Sequence, residues 1–341
     1  MELSFLNRFI RRVGIDLGTS YTRIWTDQAG IALSEPSCVA VDERSKKVLA
    51  VGEEALAMVG RVGPGIVIYY PIRKGEIFDI EVAQAMLKVF LQKVFQTPYF
   101  FRPIMMSSVP VGSSLAHRQA VTQVMSGLGA REAYTIAQPL AAAIGSGVPI
   151  ADASGSFIVQ VGAGVVEAAI ISLGSVVAHQ THTQAGIYID GLFKQAVRDE
   201  YGLVISEAMA EKIKKELGNF DTSATTEILV TGQDLLTSSP KEVSVAAAKV
   251  NPMLTPVLEK YQILLKKLLS TIPPELTVDV IDKGILLSGG AGQFKGLERQ
   301  LVAALGVPVF AVDDPGQTVI KGIGQALENL ELFKESLGYE R

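Results

Sequence analysis

Apolar and polar positions along the chain follow two repeating patterns, one typical of strands and one typical of helices. Twice, an apolar strand runs into a turn that contains glycine and a second strand returns, over residues 12–25 and again over residues 157–173. Asp16 and Gln160 occupy the same place in these two segments, 144 residues apart. This weak internal repeat predicts two similar lobes.

Helices are predicted where apolar residues recur every three to four positions. This spacing is found over residues 81–96 and 117–128. Residues 138–147 place a proline in the first helical turn and a glycine at the end, and the last helix is expected over residues 319–332. A further strand is predicted over residues 284–288. Strands alternating with helices in this way indicate an α/β protein.

Two segments differ in composition from the strands and helices around them. Residues 33–73 are rich in loop-forming residues, whereas residues 187–244 have a helical and polar pattern with loops at 218–226 and 237–240. We expect each segment to form a small inserted subdomain, one in each lobe.

The first twelve residues form an amphipathic helix when they are placed at 100° per residue. One face carries Asn7, Arg8, Arg11 and Arg12, and the other face carries Leu3, Phe5, Leu6, Phe9 and Ile10. This segregation is typical of a helix that lies in a bilayer interface with its arginines at anionic headgroups. The alternative is an N-terminal helix that docks on the protein's own core.

A second apolar element lies between a predicted helix and a predicted strand, where a loop is usually polar. Residues 97–103 carry three consecutive aromatic side chains, Tyr99, Phe100 and Phe101. Such a patch indicates a second contact with the membrane surface. The alternative is a loop that folds its aromatic side chains onto the core.

Composition limits the classes of function that remain. The chain has 341 residues, of which 48% are hydrophobic, and this length is sufficient for two domains. The net charge of −4 argues against nucleic acid as the main partner, because such binding needs a concentrated basic surface. The single cysteine, Cys38, favours a reducing cytoplasm. No apolar run reaches the roughly 20 residues of a transmembrane helix.

Three glycine loops, each after a short apolar run, are the candidates for anion binding. They are Gly18-Thr19-Ser20, Gly162-Ala163-Gly164 and Gly289-Gly290-Ala291-Gly292. Glycine allows backbone N–H groups to approach phosphate oxygens closely. Any one of these loops could be merely a tight turn, but three loops together favour a nucleotide. Asp16 lies beside the first loop, where a carboxylate could hold Mg²⁺ through water or cap the turn.

Gly14-Ile15-Asp16-Leu17-Gly18-Thr19 resembles the first phosphate motif of the superfamily that contains actin, Hsp70 and the sugar kinases. The segment 287–290 resembles the adenosine motif of that superfamily. Four other segments resemble the bacterial MreB family in particular: residues 34–37, 51–55, 137–145 and 326–331. The resemblance therefore runs from about residue 13 to residue 335.

This resemblance implies an actin-like fold with two RNase-H-like lobes, each carrying an inserted subdomain, and a nucleotide cleft between them. In this interpretation residues 1–12 form the membrane-binding helix. Lobe I comprises residues 13–35 and 70–146 with the insertion 36–69, and lobe II comprises residues 147–186 and 245–341 with the insertion 187–244.

The resemblance also implies ATP and Mg²⁺ as cofactors and assigns residues to them. Gly18, Thr19 and Ser20 would lie at the phosphates, and residues 289–292 would pass beside the adenosine. Glu211 and Lys214 would hold the ribose and base, although without the resemblance they read as a solvated charge pair.

The second phosphate motif departs from the pattern of the family. Gln160 stands where the family carries an aspartate, and Val165 and Val166 stand where it usually carries threonines. The loss of a charge that orients the metal should slow phosphoryl transfer. Gln138 stands at the position of the catalytic glutamate of MreB, but actin uses glutamine there, so hydrolysis is not excluded.

These observations predict a cytoplasmic protein at the inner face of the cell membrane that polymerises into ATP-dependent filaments. Such filaments would organise cell shape and cell-wall synthesis, with membrane proteins of the cell-wall elongation machinery as partners. One alternative is a hydrolysis-deficient nucleotide-binding scaffold of the same fold. Another is a monomeric ATPase of the sugar-kinase or Hsp70 type.

Overall fold

The computed structural model describes residues 11–95, 102–221 and 225–333 and the backbone of residues 338–340. In chain order the strands are β1 (Arg12–Leu17), β2 (Tyr21–Thr26), β3 (Gly30–Pro36), β4 (Val39–Asp42), β5 (Val48–Val51), β6 (Ile66–Tyr69), β7 (Ile72–Arg73), β8 (Glu76–Ile77), β9 (Ile104–Val109), β10 (Glu132–Ala137), β11 (Ser156–Val161), β12 (Val166–Ser172), β13 (Ser175–His182), β14 (Leu203–Val204), β15 (Glu227–Asp234), β16 (Pro240–Ala246), β17 (Ile285–Ser288), β18 (Val309–Ala311) and β19 (Gly338–Glu340).

The described helices alternate with these strands. They are α1 (Glu53–Ala57), α2 (Ile80–Val94), α3 (Leu115–Gly127), α4 (Gln138–Gly145), α5 (Gly186–Tyr201), α6 (Glu207–Leu217), α7 (Ala247–Val250), α8 (Thr255–Leu269), α9 (Pro274–Lys283), α10 (Leu297–Leu305), α11 (Thr318–Glu328) and α12 (Leu330–Phe333). Side chains of Asp79, Ser114 and Ser206 accept a backbone N–H at the starts of α2, α3 and α6. Each such cap stabilises its helix by about 1 kcal/mol.

The chain divides into two compact units. Unit 1 comprises residues 1–153, 171–177 and 317–341, and unit 2 comprises residues 154–170 and 178–316. The lobe boundaries inferred from the sequence put all of residues 245–341 in lobe II, whereas the contacts group residues 317–341 with unit 1.

Unit 1 is built around a six-stranded sheet in the order β19-β10-β9-β1-β2-β3. Strands β1, β9 and β10 are parallel to one another, whereas β2 pairs antiparallel with β1. Val13 and Ile15 of β1 are fully buried and belong to one apolar cluster with Phe90 of α2. Because parallel strands end at the same edge of a sheet, the residues after β1, β9 and β10 lie along one edge.

Unit 2 contains residues of a five-stranded sheet in the order β13-β12-β11-β17-β18. Strands β11, β17 and β18 are parallel. Phe157 of β11, Phe193 of α5 and Leu287 of β17 are buried in a single apolar cluster. The carboxyl ends of β11 and β17 therefore lie side by side, and each leads into a glycine loop.

The two inserted segments contain more strand than the sequence pattern predicts. The loop-rich stretch 33–73 includes the three-stranded sheet β5-β4-β6, and the stretch 187–244 includes the hairpin of β15 and β16. The purely helical interpretation of 187–244 is thus wrong for its last third, although α5 and α6 lie where helices are expected. The predicted loop 237–240 falls at the turn of this hairpin.

Candidate functional site

The first glycine loop, Gly18-Thr19-Ser20, is the turn between β1 and β2 in unit 1. A Cβ on Gly18 would lie 2.6 Å from the carbonyl oxygen of Tyr21, so this position accepts only glycine without rearrangement. The Ser37 hydroxyl donates to the Gly18 carbonyl at 2.7 Å, and the Gly75 N–H donates to Thr19 Oγ1 at 2.9 Å. The loop is therefore held from two sides by neighbouring segments.

Asp16 is buried beside this loop and already has two side-chain partners. The Ser108 hydroxyl donates to Oδ1 at 2.9 Å, and one guanidinium nitrogen of Arg23 donates to Oδ2 at 3.4 Å. Arg23 stands directly opposite Asp16 in the β1–β2 register. Burial raises the pKa of Asp16, and the charge of Arg23 and the Ser108 hydrogen bond oppose that rise.

These partners bear on the predicted Mg²⁺ site. A divalent cation held by Asp16 would stand beside a positive charge that is already there, because the Arg23 guanidinium lies 3.4 Å from Oδ2 and the pair is largely buried. Within the ranges that the structure describes, no group of three or more His, Cys, Asp or Glu side chains is placed to hold a metal ion. The donor set around Asp16 does not fit a divalent cation.

Gln138 is the first residue of α4 and follows directly on β10. In the parallel register Ala137 pairs with Val109, and Ile15 pairs with Ser107. Gln138 therefore lies along the same sheet edge as Asp16. Its side chain is buried.

The second glycine loop, Gly162-Ala163-Gly164, is the turn between β11 and β12 in unit 2. The Gly162 N–H donates to the Val165 carbonyl at 2.9 Å, and a Cβ on Gly162 would meet that oxygen at 2.9 Å. Gly18 faces the carbonyl oxygen of Tyr21 in the same way, three residues later in the chain. The internal repeat is thus a repeat of turn geometry as well as of sequence.

Three positions where the resemblance implies an aspartate and two threonines lie in the interior of unit 2. Gln160 stands beside Ser288 in the β11–β17 register, and its side chain is buried. Val165 and Val166 are buried too, and Val166 belongs to the apolar cluster. Glu167, which follows them, is fully buried on β12. The first strand of this hairpin thus carries a buried neutral amide, and the second strand carries a buried carboxyl group.

The third glycine loop, Gly289-Gly290-Ala291-Gly292, follows β17 and begins a single 3-10 turn. Gly289 has a φ of 88°, and a Cβ on it would lie 2.4 Å from the Val161 carbonyl oxygen. Its N–H donates to the Pro315 carbonyl at 2.9 Å. The loop therefore packs directly on the backbone where β11 ends.

The start of α5 connects the two loops of unit 2. The Gly186 N–H donates to the Gly162 carbonyl at 3.1 Å, and the Ile187 N–H donates to the Ala163 carbonyl at 2.8 Å. A Cβ on Gly186 would lie 3.6 Å from the Cβ of Ala291. Unit 2 thus gathers the second and third glycine loops into one place, which the sequence predicted only by resemblance.

Lys214 contacts Gly186, which links the second and third glycine loops, whereas Glu211 does not pair with Lys214. Lys214 Nζ lies 2.7 Å from Asp190 Oδ2 and 3.4 Å from the Gly186 carbonyl oxygen, with both charged side chains mostly buried. Glu211 forms an exposed ion pair with Lys215 at 2.8 Å. Burial raises the pKa of Asp190 to about 6, and Lys214 opposes that rise.

Two charged residues of these sites were missed by the sequence analysis. Arg23 could have been found, because a hairpin that turns at 18–20 places residue 23 opposite residue 16. Asp190 gives no comparable signal, since it pairs with Lys214 of another helix, 24 positions later in the chain.

The residues predicted to contact a membrane lie outside the described part of the chain. They are Leu3, Phe5, Leu6, Phe9, Ile10, Tyr99, Phe100 and Phe101. Among the described helices, none combines the length and the apolar character needed to cross a bilayer.

Comparison with known protein families gives a match over nearly the whole chain. The family described as "MreB/Mbl protein" matches residues 10–335. The chain is 36% identical over 324 residues to the cell shape-determining protein Mbl of Bacillus subtilis, covering 95% of this chain and 97% of that protein. It is 36% identical over 339 residues to the cell shape-determining protein MreB of Escherichia coli, covering 97% of each.

Solved structures show the same architecture. The crystal structure of MreB5 of Spiroplasma citri bound to AMPPNP has a TM-score of 0.90 and 26% identity, covering 96% of this chain and 98% of that one. The same protein bound to ADP gives an equal TM-score of 0.90. The structure described as the MamK double helical filament has a TM-score of 0.79 at 21% identity, covering 94% and 98%.

Proposed function

The chain belongs to the MreB/Mbl family of cell shape-determining proteins and has the actin-like fold, and from this we propose that it binds ATP and polymerises into filaments. The observation that carries the nucleotide proposal is the convergence of the second and third glycine loops on Gly186 in unit 2. The related MreB5 was crystallised with AMPPNP and with ADP, which supports a nucleotide as the ligand.

The phosphate-contacting residues of this proposal are backbone groups of the glycine loops. They are Gly18, Thr19 and Ser20 of unit 1 and Gly162, Ala163 and Gly164 of unit 2. Successive backbone N–H groups in a tight turn can point at one anion and bind it without a charged side chain. Gly289, Gly290, Ala291 and Gly292 serve the adenosine. Lys214, whose ammonium group lies at the Gly186 carbonyl, supplies a positive charge beside these two loops of unit 2. Lys214 and Glu211 hold the ribose and base.

Filament formation is the second part of the proposal. The fold supports self-assembly, since MamK shares it and was solved as a double helical filament. We place the polymer at the cytoplasmic face of the cell membrane, attached through residues 1–12 and the aromatic segment 97–103. There it would organise cell-wall synthesis together with membrane proteins of the elongation machinery. The family match disfavours a monomeric sugar kinase or Hsp70-type ATPase.

A hydrolysis-deficient scaffold remains the second candidate, because one observation favours it. Gln160 is neutral where the family pattern has a carboxylate, and Val165 and Val166 are buried apolar side chains where hydroxyls could meet phosphate or water. In this form the chain binds ATP and assembles, while Gln138 and Asp16 support only slow turnover. Phosphate release during polymerisation distinguishes the two candidates.

Nucleotide binding is tested by thermal unfolding with and without ATP. A ligand at 100 times its dissociation constant stabilises the folded state by about 2.7 kcal/mol, so saturating ATP should raise the melting temperature by roughly 5 °C in a chain of this size. Lys214→Met should reduce the ATP-induced rise. Lys215→Met is the matched control, since its ammonium group is exposed on the same helix. An unchanged melting temperature of the wild type at millimolar ATP contradicts the proposal.

A further inference from the structure

The first phosphate loop has a cation built into its own hairpin. Asp16 and Arg23 are cross-strand partners in the β1–β2 register, so their side chains lie on the same face of the sheet. The guanidinium donates to Asp16 Oδ2 at 3.4 Å. The side chain of Asp16 is 9% exposed and that of Arg23 is 20% exposed, so the pair is largely shielded from water.

The position of the guanidinium is also defined on its other side. Its central carbon lies 5.7 Å from the ring centroid of Tyr21, within the range of a cation–π contact. Tyr21 is the residue that follows the loop Gly18-Thr19-Ser20 directly. Arg23 is therefore held between the carboxylate before the loop and the aromatic ring after it.

This arrangement changes what the hairpin can bind. The ion pair of Asp16 and Arg23 has no net charge, and a divalent cation brought to Asp16 would meet the repulsion of the guanidinium. A guanidinium has five N–H donors in a planar fork that matches the oxygens of a phosphate. Within the described residues, Arg23 uses its side chain in one hydrogen bond, which is long. Donors therefore remain for an anion at the loop.

We propose that Arg23 takes the place of the divalent cation beside Asp16, so that this chain binds ATP in the absence of Mg²⁺. The inference rests on the proposed ATP binding and names the group that neutralises the phosphate charge at this loop. Asp16 acts as a positioning residue that fixes the guanidinium, and Ser108 fixes Asp16 through its hydroxyl. Arg23 contacts the phosphate.

The experiment compares ATP affinity by calorimetry in excess EDTA and in millimolar Mg²⁺. The wild-type dissociation constants in the two buffers should agree within about threefold. Arg23→Gln should weaken binding in EDTA by about tenfold or more, the effect of losing a charge-assisted hydrogen bond. Arg23→Lys should recover part of the affinity because it retains the charge. Arg131→Gln is the control. Arg131 lies just before β10, at the amino ends of the parallel strands, whereas Asp16 lies near their carboxyl ends.

Wild-type protein that binds ATP in Mg²⁺ but loses it in EDTA overturns the inference and leaves the proposed function intact. Equal binding in EDTA by wild type and Arg23→Gln also overturns it. Absence of binding in both buffers refutes the proposed function itself.

A second readout does not depend on the folding of an Arg23 variant. Electron paramagnetic resonance of Mn²⁺ added to the ATP complex should give the same Mn²⁺ affinity for wild type and Asp16→Asn. A clear loss of Mn²⁺ affinity in Asp16→Asn would show that the carboxylate holds the metal, contrary to the inference.

Discussion

At the scale of single residues, Gly289 is where the third loop is most sensitive to a side chain. Its φ of 88° and ψ of 151° belong to a region that is essentially restricted to glycine. A Cβ there would meet the Val161 carbonyl oxygen at 2.4 Å. Gly289→Ala should therefore lower the free energy of unfolding by roughly 2–3 kcal/mol, measured as a lower urea midpoint, and should weaken ATP binding.

Gly290→Ala provides the matched control for that substitution, because a Cβ on Gly290 has open space around it. Its free energy of unfolding should stay within about 0.5 kcal/mol of wild type. If both variants are equally destabilised, the loop is sensitive to any loss of glycine and the contact with Val161 is not the cause.

Asp190 predicts a specific pH dependence of stability. Burial raises its pKa from 3.8 to about 6 in the folded protein. Between these values the folded state binds more protons than the unfolded state, so this group's contribution is present below pH 4 and is lost as the pH rises through about 6. Asp190→Asn removes that contribution. The difference in unfolding free energy, wild type minus variant, should fall by roughly 1–3 kcal/mol between acid and neutral pH.

Urea unfolding of both proteins across this pH range measures the difference. Asp199→Asn, an exposed aspartate on the same helix, controls for the change of an acid to an amide. A difference between wild type and Asp190→Asn that does not vary with pH would mean that Asp190 is solvated in solution or that Lys214 compensates fully for burial.

At the scale of elements, a very close helix contact in unit 1 joins α4 and α11. A Cβ on Gly145 would lie 2.0 Å from the Thr318 carbonyl oxygen, and one on Gly322 would lie 1.8 Å from the Ala141 carbonyl oxygen. The two helices therefore meet backbone to backbone, through glycines that have no side chain to separate them. This contact groups α11 with unit 1 although α4 and α11 are far apart in the chain.

Gly322→Ala should force these helices apart and destabilise the protein by roughly 2 kcal/mol or more, the usual cost of overpacking. Gly191→Ala is the control, because Gly191 lies inside α5 with open space around its Cα. There the better helix propensity of alanine should stabilise the protein by about 0.5–1 kcal/mol. Thermal unfolding of both variants checks the pair, and changes of the same sign would contradict the packing argument.

At the scale of the whole molecule, the proposed membrane attachment depends on residues 1–12 and on the aromatic segment 97–103. Full burial of a large apolar side chain contributes about 1.5–3 kcal/mol, but burial in an interface is partial. We therefore expect a monomer to bind weakly and a polymer firmly, because each subunit adds its own anchors. Deletion of residues 1–11 should weaken co-sedimentation with liposomes, and additional Phe100→Ser and Phe101→Ser changes should nearly abolish it.

Phe78→Ser is the control for the aromatic substitutions, because Phe78 is also exposed but belongs to neither segment. High salt should reduce binding to anionic vesicles, since the arginine contribution is screened. If the deleted and doubly substituted protein still sediments as the wild type does, both segments dock on the protein itself, and the membrane interpretation fails.

Much of the architecture could be predicted because it follows from local rules. The repeat around Asp16 and Gln160 predicted two hairpins with glycine turns, and both are confirmed, as are the actin-like fold and the helices α2, α3 and α4. Hydrophobic period and turn residues act over a few positions, so they can be recognised in the local sequence. The hairpin of β15 and β16 was missed because its buried residues, such as Val230 and Val245, alternate with a partly apolar exposed face that includes Leu229.

By itself, the sequence determined the family, the repeat and the three loops, since each is written in neighbouring residues. Only the tertiary structure decided which of these residues meet. It joined the second loop to the third through Gly186, paired Lys214 with Asp190, and grouped α11 with α4. The reason is physical: such contacts join positions that are distant in the chain, and they depend on the sum of many weak packing and hydrogen-bond terms. No local pattern records that sum.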